Sequence, residues 1–277
     1  MIFNHPMADA PELFLTANLI SIFQNFVAAA WGNLFWLIIV FMVMLVLNRW
    51  ITIHIQYVGM LLSGNEIATT WLYFFLFIPG ILIHEISHYV VAWVLRARPS
   101  KLVLWPTVKR GRVVLGSVQV NNADPLSHSI IGAAPLLFGS VAVWFLARFL
   151  QFDLLGEAIT AGNMPDLINA AGRSLATPDF WVWIYLLFAI SNAMLPSPVD
   201  RIYWAPILLF LGSGFVLLLG LDWLPAIPPN VQNGFANIIS VLVFALTTVV
   251  AVNLFFIFFI FVLESLLTIA TGRKVRY

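Results

Sequence analysis

Hydrophobic residues along this chain fall in long blocks rather than in the alternating or two-sided patterns of a soluble domain. Residues 32–49 form the first strong block and 69–95 the second, which is interrupted at Pro79-Gly80. Further blocks occupy 126–150, 180–198, 202–222 and 235–267. An apolar helix of about 20 residues crosses the roughly 30 Å hydrocarbon core of a bilayer. The pattern predicts an all-α polytopic membrane protein with about six transmembrane helices, the last long enough to tilt. Residues 11–30 are apolar but carry Thr16, Asn18, Ser21, Gln24 and Asn25, which suits an interfacial or re-entrant helix, the alternative being a seventh span. The stretch 50–64 has no clear placement.

One connection breaks the helical pattern. Lys101–Val108 and Val113–Val120 are rich in β-forming residues and flank the turn Lys109-Arg110-Gly111-Arg112. This predicts a small β-hairpin. Pro106 and Gly116 suggest that it is bent or edge-exposed.

Composition agrees with a lipid environment. The 277 residues are 62% hydrophobic and 9% charged, with a mean hydropathy of +0.98. A soluble surface needs about 25% charged residues. A net charge of +1 gives no reason to expect nucleic acid as a partner. With no cysteine, disulfides and thiolate metal sites are excluded. The first basic residue is Arg49, so a basic signal-peptide n-region is missing.

Charge sets the expected orientation. Arg96, Arg98, Lys101, Lys109, Arg110 and Arg112 follow the second block, and Arg273, Lys274 and Arg276 end the chain. The positive-inside rule puts both segments, and with six spans both termini, in the cytoplasm. The acidic loop 151–179 belongs outside.

The chemistry is concentrated in His84-Glu85-Ile86-Ser87-His88 within the second block. Positions four apart lie above one another on a helix, so both imidazoles can reach one ion. Glu85 sits beside them, placed to act as a base on metal-bound water, which is the physical content of HExxH. With this composition, chance would produce the motif roughly once in a few hundred chains. The alternative is a structural cluster of two neutral imidazoles and a protonated Glu satisfying one another between helices. Three ionisable groups within five residues of a membrane span are a costly way to build that. Nitrogen ligands and a tetrahedral preference point to Zn²⁺.

Two imidazoles leave room for a carboxylate and water. Asp200 and Glu264 are the acidic residues within or at the end of an apolar block on the cytoplasmic side. Asp200 follows Pro196 and Pro198, which must unwind the fourth span and free a side chain to turn inward. Asp200 is therefore the expected third ligand. Its alternative is a boundary carboxylate paired with Arg201. Glu264 lies on a regular helix near the C-terminal charges and suits the interface.

These elements together resemble the site-2 proteases, zinc intramembrane metalloproteases. HEISH in a span, the Gly132-Ala-Ala-Pro135 stretch and the Asn192…Pro196…Asp200 segment carry the resemblance, over residues 70–205. It implies a three-helix catalytic core in which His84, His88 and Asp200 hold zinc and Glu85 is the general base. It also implies that Asn192 binds substrate or a developing oxyanion. The chain departs from the pattern with Arg201 where the family has Gly, so the expected relative is a divergent one. The regions are then 1–68, an N-terminal interfacial helix and first span; 69–201, the catalytic core; and 202–277, two C-terminal spans.

The expected function is hydrolysis of peptide bonds in transmembrane segments of other proteins. Such a segment must be opened into a strand, and the hairpin can receive it by strand addition. Val114, Gly116 and Val118 are the residues offered to substrate. The alternatives are an inactive protein of this family that binds transmembrane partners, a metal transporter, or a tethered HExxH protease using Glu264. Short loops without appended modules suggest a prokaryotic plasma membrane, by resemblance. His128, near Asp124, is expected at the surface or in a cap, and His5 and His54 lie outside the clear spans. Asn253 is expected to bond between helices.

Overall fold

A computed structural model describes residues 10–109, 112–114, 116, 118, 120, 123–220 and 228–273. The Arg110-Gly111 turn, His5, Lys274 and Arg276 lie outside these residues. The chain is mostly helical. Its core is built by α1 (Ala10–Ser63), α2 (Glu66–Val94), α3 (Pro125–Phe149), α6 (Phe180–Ala193) and α8 (Pro229–Thr271). Among the described residues four helical stretches are long and apolar enough to cross a membrane: Asn33–Ser63, Glu66–Val94, Pro125–Phe149 and Asn230–Thr271. A fifth crossing is available if α5 (Met164–Leu175) and α6, bent by 93°, are taken together. α7 (Trp204–Gly220) has 17 residues, short of the usual crossing length.

α1 is one helix of 54 residues, about 80 Å long at 1.5 Å per residue. The break expected near residue 31 is missing: Pro11 sits in the first turn, where proline is tolerated, and no Pro or Gly lies between residues 12 and 31. The unplaced stretch 50–64 simply continues the helix. α2 begins at Asn65, whose Oδ1 accepts from the Ile67 and Ala68 amides at 2.8 and 3.3 Å. It passes through Pro79-Gly80 without ending. Gly80 is there for contact: a Cβ would run into the Ala189 carbonyl and the Ala193 side chain of α6. α3 starts with Asp124 capping the Ser127 amide and Pro125 at the first helical position.

The loop 151–179 holds two short amphipathic helices that the apolar blocks did not reveal, α4 (Phe152–Ala161) and α5. Between α2 and α3, β1 (Thr107–Lys109) pairs antiparallel with β2 (Arg112–Val114), Thr107 opposite Val114. Pro99 and Val120 form an isolated bridge farther out. The paired ladder is thus three residues long, and neither Gly116 nor Val118 belongs to it.

Helix polarity follows from side-chain pairs. Trp36 with Thr247, and His54 with Glu264, advance together along α1 and α8, so these two helices are parallel. Leu76 with Tyr185, and His84 with Ala193, make α2 and α6 parallel to each other. α1 and α2 are joined by the tight Gly64-Asn65 turn, and Arg273 sits beside Gly64. The end of α8 therefore lies at the opposite end of the bundle from the loop that follows Val94. Charge counting had placed both basic segments on one side.

The centre is packed by Met44 and Ile51 of α1, Phe74 and Phe77 of α2, Leu187 and Phe188 of α6, and Leu246 and Val249 of α8. Phe188 stacks on Phe256 at 4.0 Å, while Phe255, Phe258, Phe259 and Phe261 face outward, as lipid-facing bulk would.

Candidate metal centre

His84 and His88 lie one helical turn apart on α2, with His88 buried and His84 nearly so. His84 Nδ1 is 2.7 Å from the Ala193 carbonyl at the end of α6, and His88 Nδ1 is 2.8 Å from the Ile131 carbonyl of α3. A carbonyl can only accept, so each Nδ1 carries the proton. In the neutral rings both Nε2 atoms are then acceptors, and they face each other at 3.1 Å. Two lone pairs at that distance repel unless a cation or a proton lies between them.

Asp200 completes the group. Its Oδ1 is 3.4 Å from His88 Nε2 and its Oδ2 3.9 Å from His84 Nε2. One donor atom from each of the three residues falls within 4.8 Å of the others. Ligands at zinc distances of about 2.0–2.1 Å on a tetrahedron stand about 3.3 Å apart. Two imidazole nitrogens and a carboxylate at these separations could hold a metal ion.

The local sequence explains how Asp200 arrives. α6 stops at Ala193, and Pro196 and Pro198 cannot donate the bonds that would continue it. The chain turns back through a reciprocal contact: the Ser197 amide donates to Asp200 Oδ2 at 2.7 Å, and the Asp200 amide donates to Ser197 Oγ at 3.3 Å. Arg201 is exposed and donates to the Ser197 carbonyl. Gly132 of α3 packs directly on the Asp200 backbone carbonyl, so the Gly132-Ala-Ala-Pro135 stretch admits the returning chain.

Glu85 is buried, within electrostatic range of His88 and Asp200. Gly116 lies against it: a Cβ on Gly116 would come within 2.8 Å of Glu85 Cγ and Oε1. The loop after β2 therefore crosses the face of this carboxyl.

Other expectations are redistributed. Asn192, expected to bind substrate, donates to the Phe188 carbonyl of its own helix and to Asn253 Oδ1 of α8, and its Oδ1 accepts from Asn48 of α1. Asn253 bonds between helices as expected. Glu264 is half-buried against His54, Nδ1 to Oε2 2.5 Å. His128 stacks on Tyr203 at 5.2 Å. Asn48, which donates to Asn192, was missed, since a lone Asn in a block of Leu and Val carries no signal of its partner. No family model, curated protein or solved structure matches this chain.

Proposed function

We propose that this protein is a zinc-dependent intramembrane endopeptidase, a divergent relative of the site-2 proteases, cleaving transmembrane segments of other proteins. The observation that carries the reading is the pair of Nδ1–carbonyl bonds, which turn the two Nε2 atoms toward each other and toward Asp200. His84, His88 and Asp200 would hold the metal. Zinc, when bound, would supply a Lewis acid and lower the pKa of a water toward ~7.

Glu85 is the general base in this reading. Its carboxylate takes a proton from the attacking water as the water oxygen bonds to the scissile carbonyl carbon. The same proton then passes to the amine as the C–N bond breaks. Burial of Glu85 beside His88 supports the role, because few other waters compete for the carboxylate. Lipid surrounds the bundle in this reading, so substrate approaches sideways and must unwind before its peptide bonds are accessible. Val114, Gly116 and Val118 form the segment nearest to receive it, and the contact of Gly116 with Glu85 supports that placement.

Protein purified without chelators should contain one zinc per chain and cut a model transmembrane peptide. Glu85→Gln should keep the zinc and lose at least about a hundredfold in rate. A metal-free preparation would remove the whole reading. Equal products from the two proteins would leave the second one, an inactive relative that binds transmembrane partners, which the close cover of Glu85 by Gly116 favours.

A further inference from the structure

A buried polar cluster lies directly behind the histidines and contacts none of the proposed ligands. Asn192, in the last turn of α6, is its centre. Asn192 Nδ2 donates to the Phe188 carbonyl at 2.8 Å and to Asn253 Oδ1 of α8 at 3.0 Å. Asn48 Nδ2 of α1 reaches the Asn192 backbone carbonyl at 2.7 Å and its Oδ1 at 3.3 Å. Ser191 Oγ bonds the Phe188 carbonyl at 2.9 Å and lies 3.3 Å from Asn253 Oδ1.

The significance lies in the carbonyls. A helix leaves its last carbonyls without intrahelical donors. In α6 the usual remedies are closed, because Pro196 and Pro198 have no amide hydrogen and the surroundings are apolar. Two consecutive orphan carbonyls are instead taken by side chains of two different helices. Asn48 of α1 holds the Asn192 carbonyl, and His84 of α2 holds the Ala193 carbonyl. The peptide unit just before the one that fixes the His84 ring is thus held by Asn48 on one side, and Asn192 itself is held through its side chain by Asn253 on the other. Hydrogen bonds to the far nitrogen of a ligating imidazole set its orientation and basicity. The same last turn leads within seven residues to Asp200.

We propose that Asn48, Asn192 and Asn253 are positioning residues for the metal centre, clamping the end of α6 so that its terminal carbonyl presents His84 to the metal. The proposal rests on the zinc-protease reading and adds α1 and α8, outside the three-helix core, to the apparatus that tunes the metal. Asn253 acts through its oxygen: its Nδ2 is buried and has no partner among the described residues.

Zinc affinity, measured on the full-length protein in detergent by competition with a chromophoric chelator, tests this. Asn48→Leu and Asn253→Leu should each lose about 10–100-fold in affinity, the range for disrupting a partner of a ligating histidine. Val249→Ala, an equally buried change one turn away on α8, should lower the melting temperature without changing affinity. Asn253→Asp keeps an oxygen in place and should recover most of the loss. Should the leucine variants not fold, Asn48→Ser and Asn253→Ser are read in the same way. Wild-type affinity in the Asn48 and Asn253 variants, or an equal loss in Val249→Ala, would overturn the clamp and leave the zinc reading intact. A wild-type protein that binds no zinc would remove both.

Discussion

Gly132 of α3 and the main chain of Asp200 touch so closely that no Cβ fits between them. The contact is between two backbones, so a larger side chain cannot be accommodated by a rotamer change. Something must move, and the segment 194–203, which has left the helix, is the softer partner. Gly132→Val should therefore displace Asp200 from His88 and cost metal affinity by tenfold or more, alongside about 1–3 kcal/mol of overpacking strain. Isothermal titration of metal-depleted protein with zinc reads the first, and thermal melting the second. An unchanged affinity would mean that Asp200 is not held from behind in this way.

Asp200 has two separable jobs. Its Oδ2 accepts from the Ser197 amide, which shapes the turn, and its Oδ1 faces His88. Asp200→Asn keeps an acceptor for Ser197 but is a poor metal ligand, whereas Asp200→Ala removes both. Zinc content should fall in both variants. Only the Ala form should also lose stability, by about 1–3 kcal/mol for the unsatisfied amide. Glu264→Gln should retain zinc, because Glu264 is occupied with His54 on the other side of the bundle core. Zinc loss in Glu264→Gln with retention in Asp200→Ala would transfer the third ligand to Glu264.

The His54–Glu264 pair joins α1 and α8 along their parallel contact, and His54 also stacks on Trp50 at 3.8 Å. Removing one member of this half-buried pair leaves the other without its partner, at a cost of about 1–3 kcal/mol. Replacing both removes the cost of desolvation as well. The double variant His54→Leu/Glu264→Leu should therefore melt higher than either single variant. A double variant less stable than both singles would show that the pair stabilises the bundle beyond what apolar packing can replace.

Much of the candidate centre was legible because it is local. His84, Glu85 and His88 are fixed by helical spacing alone, and two prolines announce that the chain leaves the helix before Asp200. The partners of Asn192 were not legible. Asn48 is 144 residues away and Asn253 is 61, so their meeting is a property of how α1, α6 and α8 pack. The two ends of α1 failed for another reason: polar residues alone do not stop a helix, and only Pro, Gly or a cap does. α4 and α5 were hidden because a short amphipathic helix lacks the long apolar block that marks a span.

Helix polarity gives the last prediction. With α1 and α8 parallel and α2 returning beside α1, the segment at Lys101 and the segment at Thr271 lie at opposite ends of the bundle. Counting basic residues puts them together, since it credits 202–222 with a crossing of its own. The chain has no cysteine, so single thiols can be introduced without a background. Lys101→Cys and Thr271→Cys, both at exposed positions, should react with a membrane-impermeant maleimide from opposite sides of sealed vesicles. Under the parallel arrangement, vesicles that protect one thiol expose the other, and lysis makes both reactive. Labelling of both from the same side would require α7 to cross the membrane and α8 to be turned over relative to α1. The Trp36–Thr247 and His54–Glu264 pairs could not then both form.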